Sequence, residues 1–178
     1  KKKPIVTKPR DVYKTIIRDV FTMRVTQYKT ILSTDGKAVL EKEVSFNRTD
    51  FDRQMNSPDK IVAFAKEVLR IHENAEEYLY MLCMNNKLEL TSVFEISHGN
   101  VNSSIVSCRE VFQKALLANA VSIILMHNHP SGDPSPSRED VEVTKKLVES
   151  GKLLNVQVLD HLIIGRPGYV SLKEKGYL

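Results

Sequence analysis

The chain has no tryptophan and only two cysteines, Cys83 and Cys108. Two are too few for a disulfide framework, and neither has a zinc-type partner at short spacing, so a reducing, cytoplasmic setting is expected. No apolar stretch approaches the ~18 residues of a membrane span, and no signal-peptide pattern opens the chain, so no membrane partner is expected. Internal repeats and low-complexity tracts are absent as well. The formal net charge is only +4, with an isoelectric point of about 9.0. Lysines and arginines are scattered, and the densest group, Lys1, Lys2, Lys3, Lys8 and Arg10, sits at one end. Such a distribution permits contact with nucleic acid without demanding it, and it reads first as solvated surface. An initiating methionine is also lacking, which suggests a trimmed chain with a segment upstream.

What is there is the composition of a soluble globular protein, 42% apolar and 27% charged over 178 residues, long enough to bury a real core. Residues 1–56 are expected to form an N-terminal extension and residues 57–178 the main domain. In the extension, residues 19–33 (DVFTMRVTQYKTILS) and 37–46 (KAVLEKEVSF) flank the turn signal Thr34-Asp35-Gly36 and predict a β-hairpin. Ser57-Pro58 then starts a helix, with Ile61, Val62, Ala65, Val68 and Leu69 as its apolar stripe. Residues 78–84 (YLYMLCM) and 88–96, joined by an Asn85-Asn86-Lys87 turn, predict two adjacent antiparallel strands at the centre of a sheet. A polar loop at 97–102 and a short strand at 104–106 lead to a helix whose start, Ser107 with Glu110, has the form of a capping box. Residues 121–126 (VSIILM) are the clearest buried strand, and it ends on His127. The following helix, capped by Ser137, is expected to stop at Gly151. Residues 156–159 and 162–164 predict two strands around Asp160-His161, and Arg166-Pro167-Gly168 turns the chain into a last strand at 169–172. Strands and helices mix without regular βαβ repetition, which predicts a three-layer α/β arrangement rather than a doubly wound sheet.

One stretch stands apart from this supporting framework, residues 127–140 (HNHPSGDPSPSRED). In an extended segment His127 and His129 point to the same side, and two neutral imidazoles on one side are half of a tetrahedral zinc site. Asp140 can supply a third ligand if the loop folds back, and Pro130, Pro134 and Pro136 reduce the entropy lost in fixing that loop. Three protein ligands leave a fourth position for water, whose pKa a bound Zn²⁺ lowers to about 7. The plainer reading is a hydrogen-bonded loop in which the histidines meet no metal.

His127-Asn128-His129-Pro130, six residues, Ser137, two more and Asp140 resemble the H-x-H-P-x6-S-x2-D (JAMM) motif of JAB/MPN metalloproteases. The full string, together with SCREVFQKALLANA and LLNVQVLDHLIIG, is similar to the RadC-like branch, from about residue 57 to the end of the chain. The resemblance implies a cytidine-deaminase-like α-β-α fold carrying the hairpin as an extension. It also implies a JAMM-type zinc hydrolase cutting a peptide or isopeptide amide in a protein or peptide substrate. Zn²⁺ would be held by His127, His129 and Asp140, and Ser137 would stabilise the oxyanion. Glu77, directly before YLYMLCM, would carry the proton from water to the leaving amine, with Glu76 as its competitor. RadC-like proteins commonly carry an N-terminal helix-hairpin-helix module, and the hairpin read here departs from that pattern.

Each of these residues also has a structural reading: Ser137 as a helix cap, Asp140 as a favourable charge on the helix dipole, Glu77 as a solvated strand-edge residue. Asp160 and His161 read as satisfied core or loop residues, with a place behind the ligands as the other reading. His72 and His98 are expected at the surface, Cys83 is expected to be buried and inert, and Cys108 lies near a helix start. The alternative function is a nucleic-acid-associated accessory protein in DNA repair or recombination. A non-catalytic scaffold is disfavoured by the complete ligand set.

Overall fold

The longest buried apolar runs become the middle of one sheet. A computed structural model describes residues 23–48, 51–99 and 106–178. The sheet has seven strands: β1 (Met23–Leu32), β2 (Ala38–Arg48), β3 (Tyr78–Met84), β4 (Leu90–His98), β5 (Ser122–Asn128), β6 (Gln157–Ile164) and β7 (Tyr169–Ser171). Their order across the sheet is β2-β1-β4-β3-β5-β6-β7, which places β3 at the centre. Only β1 with β4 and β5 with β6 run parallel; the remaining neighbours are antiparallel, so the sheet is mixed. The basic cluster at residues 1–10 and the early part of the 19–33 segment lie outside the described residues, as does most of the short strand expected at 104–106.

Among the described residues, three α-helices cover the two faces. Alternate residues of β3 divide between them, because successive side chains of a strand point to opposite sides. Tyr80, Leu82 and Met84, with Ile124 and Met126 of β5, pack against Ile61, Phe64 and Ala65 of helix α1 (Pro58–Glu67). Leu79, Met81 and Cys83, with Ile123 and Leu125, face Val111, Phe112 and Ala115 of α2 (Cys108–Leu117) and Val143 and Leu147 of α3 (Arg138–Leu154). With both faces covered, the central strands need apolar residues at every position, which explains the unbroken run YLYMLCM. The result is the α-β-α layering with a mixed sheet that the sequence predicts.

Several local expectations are corrected. Ser107 caps α2 with extended backbone, but its side chain makes no capping hydrogen bond, and the main-chain contact from Val111 N to Ser107 O (3.1 Å) closes the turn instead. The two strands expected around Asp160-His161 are one strand, β6, in which both residues are buried. Helix α3 continues three residues past Gly151 and ends on Asn155, whose left-handed backbone (φ 54°) provides the stop. Gly151 is there for packing: a Cβ would lie 2.4 Å from the Val156 carbonyl and 3.2 Å from the Phe112 ring. Gly151→Ala is therefore expected to destabilise the fold by about 1–3 kcal/mol despite the better helix propensity of alanine. Urea unfolding checks this, since an unchanged or raised midpoint would contradict the packing.

Candidate metal centre

The centre forms where β5 runs out of the sheet. His127 continues the alternation of Ile123 and Leu125 and so faces the α3 side of the sheet. On β3 the register pairs Leu79 with His127, and two residues before Leu79, at the strand's entrance, stands Glu77. From the opposite layer comes Asp140, in the first turn of α3. One ligand atom from each of Glu77, His127, His129 and Asp140 lies within 4.8 Å of the others, a group that can hold a metal ion. The two Nε2 atoms of His127 and His129 are 3.0 Å apart. Asp140 Oδ1 is 3.5 Å from His127 Nε2, and its Oδ2 is 3.6 Å from His129 Nε2. Glu77 Oε1 is 3.6 Å from His127 Nε2 and 4.0 Å from His129 Nε2. The His127 side chain is wholly buried and that of Asp140 2% exposed, while those of His129 (17%) and Glu77 (20%) form the open side.

The hydrogen bonds determine which imidazole nitrogens carry protons. Thr144 Oγ1 donates to the Asp140 carbonyl (2.6 Å), which can only accept. The same oxygen is 2.6 Å from His161 Nδ1, so that nitrogen must donate its proton to Thr144. His161 Nε2 is then an acceptor and takes the proton of His127 Nδ1 at 2.8 Å. His129 Nδ1 likewise donates to the Asp133 carbonyl at 2.7 Å. Both histidines are thereby held with Nε2 lone pairs converging on one point beside a carboxylate. That donor set fits a cation, which would relieve the repulsion between the lone pairs.

Electrostatics agree with this arrangement. Burial, reinforced by neighbouring His161, holds His127 well below the ordinary imidazole pKa and so neutral. Burial likewise lowers His161 to about 4. Contact with Asp140, partly offset by burial, raises His129 instead, so a proton competes with a cation there. Burial opposes ionisation of Asp140, but the combined pull of His129, His127 and Ser137 outweighs it and keeps the carboxylate charged.

Asp140 is fixed by its own helix. Ser137 Oγ accepts from Asp140 N (3.0 Å), Asp140 Oδ2 accepts from Ser137 N (2.8 Å), and the Ser137 hydroxyl donates to the same carboxylate oxygen (2.7 Å). This capping box orients the carboxylate and closes the helix start at once. The proline-rich loop is pinned from below: His129 N donates to Ile164 O (3.0 Å) and Arg166 N to Gly132 O (3.1 Å). A Cβ on Gly165 would sit 2.2 Å from Gly132 O and 2.8 Å from Pro134 Cδ, so the brace works through a glycine as well as through prolines.

All five residues singled out from the sequence, Glu77, His127, His129, Ser137 and Asp140, meet here, and Glu76 is exposed with its carbonyl turned to Asn128. Of the two sequence readings of His161 the structure favours the place behind His127, while Thr144 and Asn128 carry no role that spacing alone points to. The signal for His161 was register: parallel pairing of Leu125 with His161 brings β6 alongside β5 at this end. Asp160 looks away from the centre, accepting from Ser171 Oγ (2.7 Å) and Lys173 N (3.1 Å). His72 and His98 are exposed, while Cys83 is buried with its thiol pushed up to about 12.

The RadC-like JAB domain family matches residues 55–177. The chain is 46% identical over 129 residues to a UPF0758 protein of Methanosarcina barkeri, covering 70% of this chain and 56% of the relative. It is 50% identical over 123 residues to a UPF0758 protein of Caldanaerobacter subterraneus subsp. tengcongensis (69% and 52%), and 48% identical over 124 residues to one of Bacillus anthracis (70% and 54%). The chain thus spans about half the length of these relatives. Among the described residues no helix is long and apolar enough to cross a membrane.

The proton order makes a measurable demand on Thr144. Thr144→Val removes the hydroxyl that terminates the chain and is expected to weaken metal binding about 10–100-fold, whereas Thr144→Ser retains it. Competition with a coloured zinc chelator checks this, and equal affinities for the valine and serine variants would contradict the assigned proton positions.

Proposed function

The chain belongs to the RadC-like JAB domain family, and from that premise we propose that it is a zinc-dependent hydrolase of JAMM type, cutting a peptide or isopeptide amide in a protein or peptide substrate. The observation that carries the reading is the Glu77 carboxylate, 3.6 Å from His127 Nε2 on the open side of a site whose floor is the buried pair His127 and Asp140. In this reading His127, His129 and Asp140 hold the metal. A bound Zn²⁺ supplies Lewis acidity to the substrate carbonyl and makes water acidic enough to act as a nucleophile near neutral pH. Glu77 accepts a proton from the attacking water as the new C–O bond forms. It then delivers that proton to the amide nitrogen as the C–N bond breaks, leaving a carboxylic acid and an amine. Ser137 offers a hydroxyl to the carbonyl oxygen as it gains charge, by turning from its present bond to Asp140.

The converging donor set favours hydrolysis over a nucleic-acid accessory role, for which the argument is the net charge of +4 and the family resemblance. The test is a zinc-loaded chain assayed against peptide and isopeptide panels. Glu77→Gln is expected to lower turnover about 10²–10⁴-fold with zinc stoichiometry intact. His127→Ala is expected to lose the metal and the activity together, and chelation to abolish turnover that added zinc restores. Undiminished turnover in Glu77→Gln, or loss of its zinc, would contradict the assignment.

A further inference from the structure

Asn128 lies between the two histidines in sequence, and strand alternation turns its side chain away from both imidazoles. It is 2% exposed and meets three main-chain groups. Its Oδ1 accepts from Tyr78 N at 2.9 Å, and its Nδ2 donates to Glu76 O at 2.9 Å and, more weakly, to Asn74 O at 3.5 Å. Because the main-chain partners are one donor and two acceptors, the orientation of the amide is determined. The Glu76 carbonyl belongs to the peptide unit before the Glu77 Cα, and the Tyr78 N–H belongs to the unit after it. One carboxamide therefore bridges both peptide planes that flank Glu77.

The sheet explains why a side chain is needed there. The last paired residues of β3 and β5 are Leu79 and His127. One step further the main chains no longer pair, and the Asn128 amide stands in for the missing backbone partner. On its other edge β3 is still paired with β4, Tyr78 opposite His98, so the Asn128 amide secures the β5 side of the strand entrance where Glu77 stands.

We infer that Asn128 is a positioning residue, a carboxamide clamp that holds the Glu77 backbone so that its carboxylate stays over the metal centre. This rests on the proposed role of Glu77 and goes beyond it by naming what sets its position. Proton transfer demands a narrow geometry, and a displacement of about 1 Å is enough to cost about 10²-fold in rate. The metal ligands have their own supports, so the clamp serves the acid–base group and not the metal.

The test uses Asn128→Leu, which removes both halves of the clamp at similar volume, and Asn128→Asp, which keeps the acceptor for Tyr78 N–H and removes the donor to Glu76. The aspartate variant serves if the leucine variant fails to fold. In Asn128→Leu the Tyr78 amide is expected to exchange with solvent at least about tenfold faster, with zinc affinity within about threefold of wild type. Its kcat is expected to fall about 10²-fold with KM unchanged. Asn128→Asp is expected to lose kcat about tenfold while Tyr78 stays protected. On a Glu77→Gln background neither substitution is expected to lower turnover further, because a residue that acts through Glu77 has nothing left to position. Additive losses on that background, or zinc affinity falling in step with kcat, would overturn the inference. If the zinc-loaded wild-type chain cuts nothing, the hydrolase reading fails separately and the exchange measurement decides the clamp. Faster exchange confined to residues around Glu77 upholds it, and unchanged Tyr78 exchange overturns it.

Discussion

Two imidazole nitrogens 3.0 Å apart, each with its proton committed to the far side of its ring, repel one another unless a cation lies between them. Much of the structure maintains that arrangement. The parallel register of β5 and β6 puts His161 behind His127, and Thr144 reaches across from α3 to complete the chain of protons. The Asp133 carbonyl does the same for His129 from the loop. Buried polar groups are tolerated at this density only because each finds a partner, and removing one member leaves the others unsatisfied.

The supporting elements differ in kind. His127 and His161 are buried on strands that have a paired neighbour on each side, so their positions inherit the rigidity of the core. Asp140 borrows its position from a helix N-terminus, where the cap that satisfies the backbone also orients the carboxylate. His129 and Glu77 sit at strand ends, partly exposed, where a substrate can reach them. Two members, His127 and Asp140, are buried, and the other two leave one side of the site open to solvent.

How much of this is legible in the sequence depends on the range of the interaction. The JAMM spacing is local, and it locates His127, His129, Ser137 and Asp140. The buried runs at 78–84 and 121–126 announce the central strands because a strand covered on both faces has no polar side to show. Gly151 reads as a helix end because local rules know glycine as a stop signal, whereas its role here is to admit the Val156 carbonyl, a tertiary contact. Asp160 and His161 look like a polar break between two strands because alternation alone does not reveal that both are paired inside the fold. Asn128 escaped for a similar reason: its partners are main-chain atoms about fifty residues away, which leave no signature in side-chain spacing.

The central claim is that His127, His129 and Asp140 bind zinc while Glu77 stands next to it without binding. X-ray absorption at the zinc edge on the loaded chain, compared with Glu77→Gln, tests this most directly. The expected result is two imidazole nitrogens at about 2.0–2.1 Å with oxygen completing the shell, and the same protein ligands in the variant. A shell that loses a protein oxygen in Glu77→Gln, or one that lacks two imidazoles, would contradict the account.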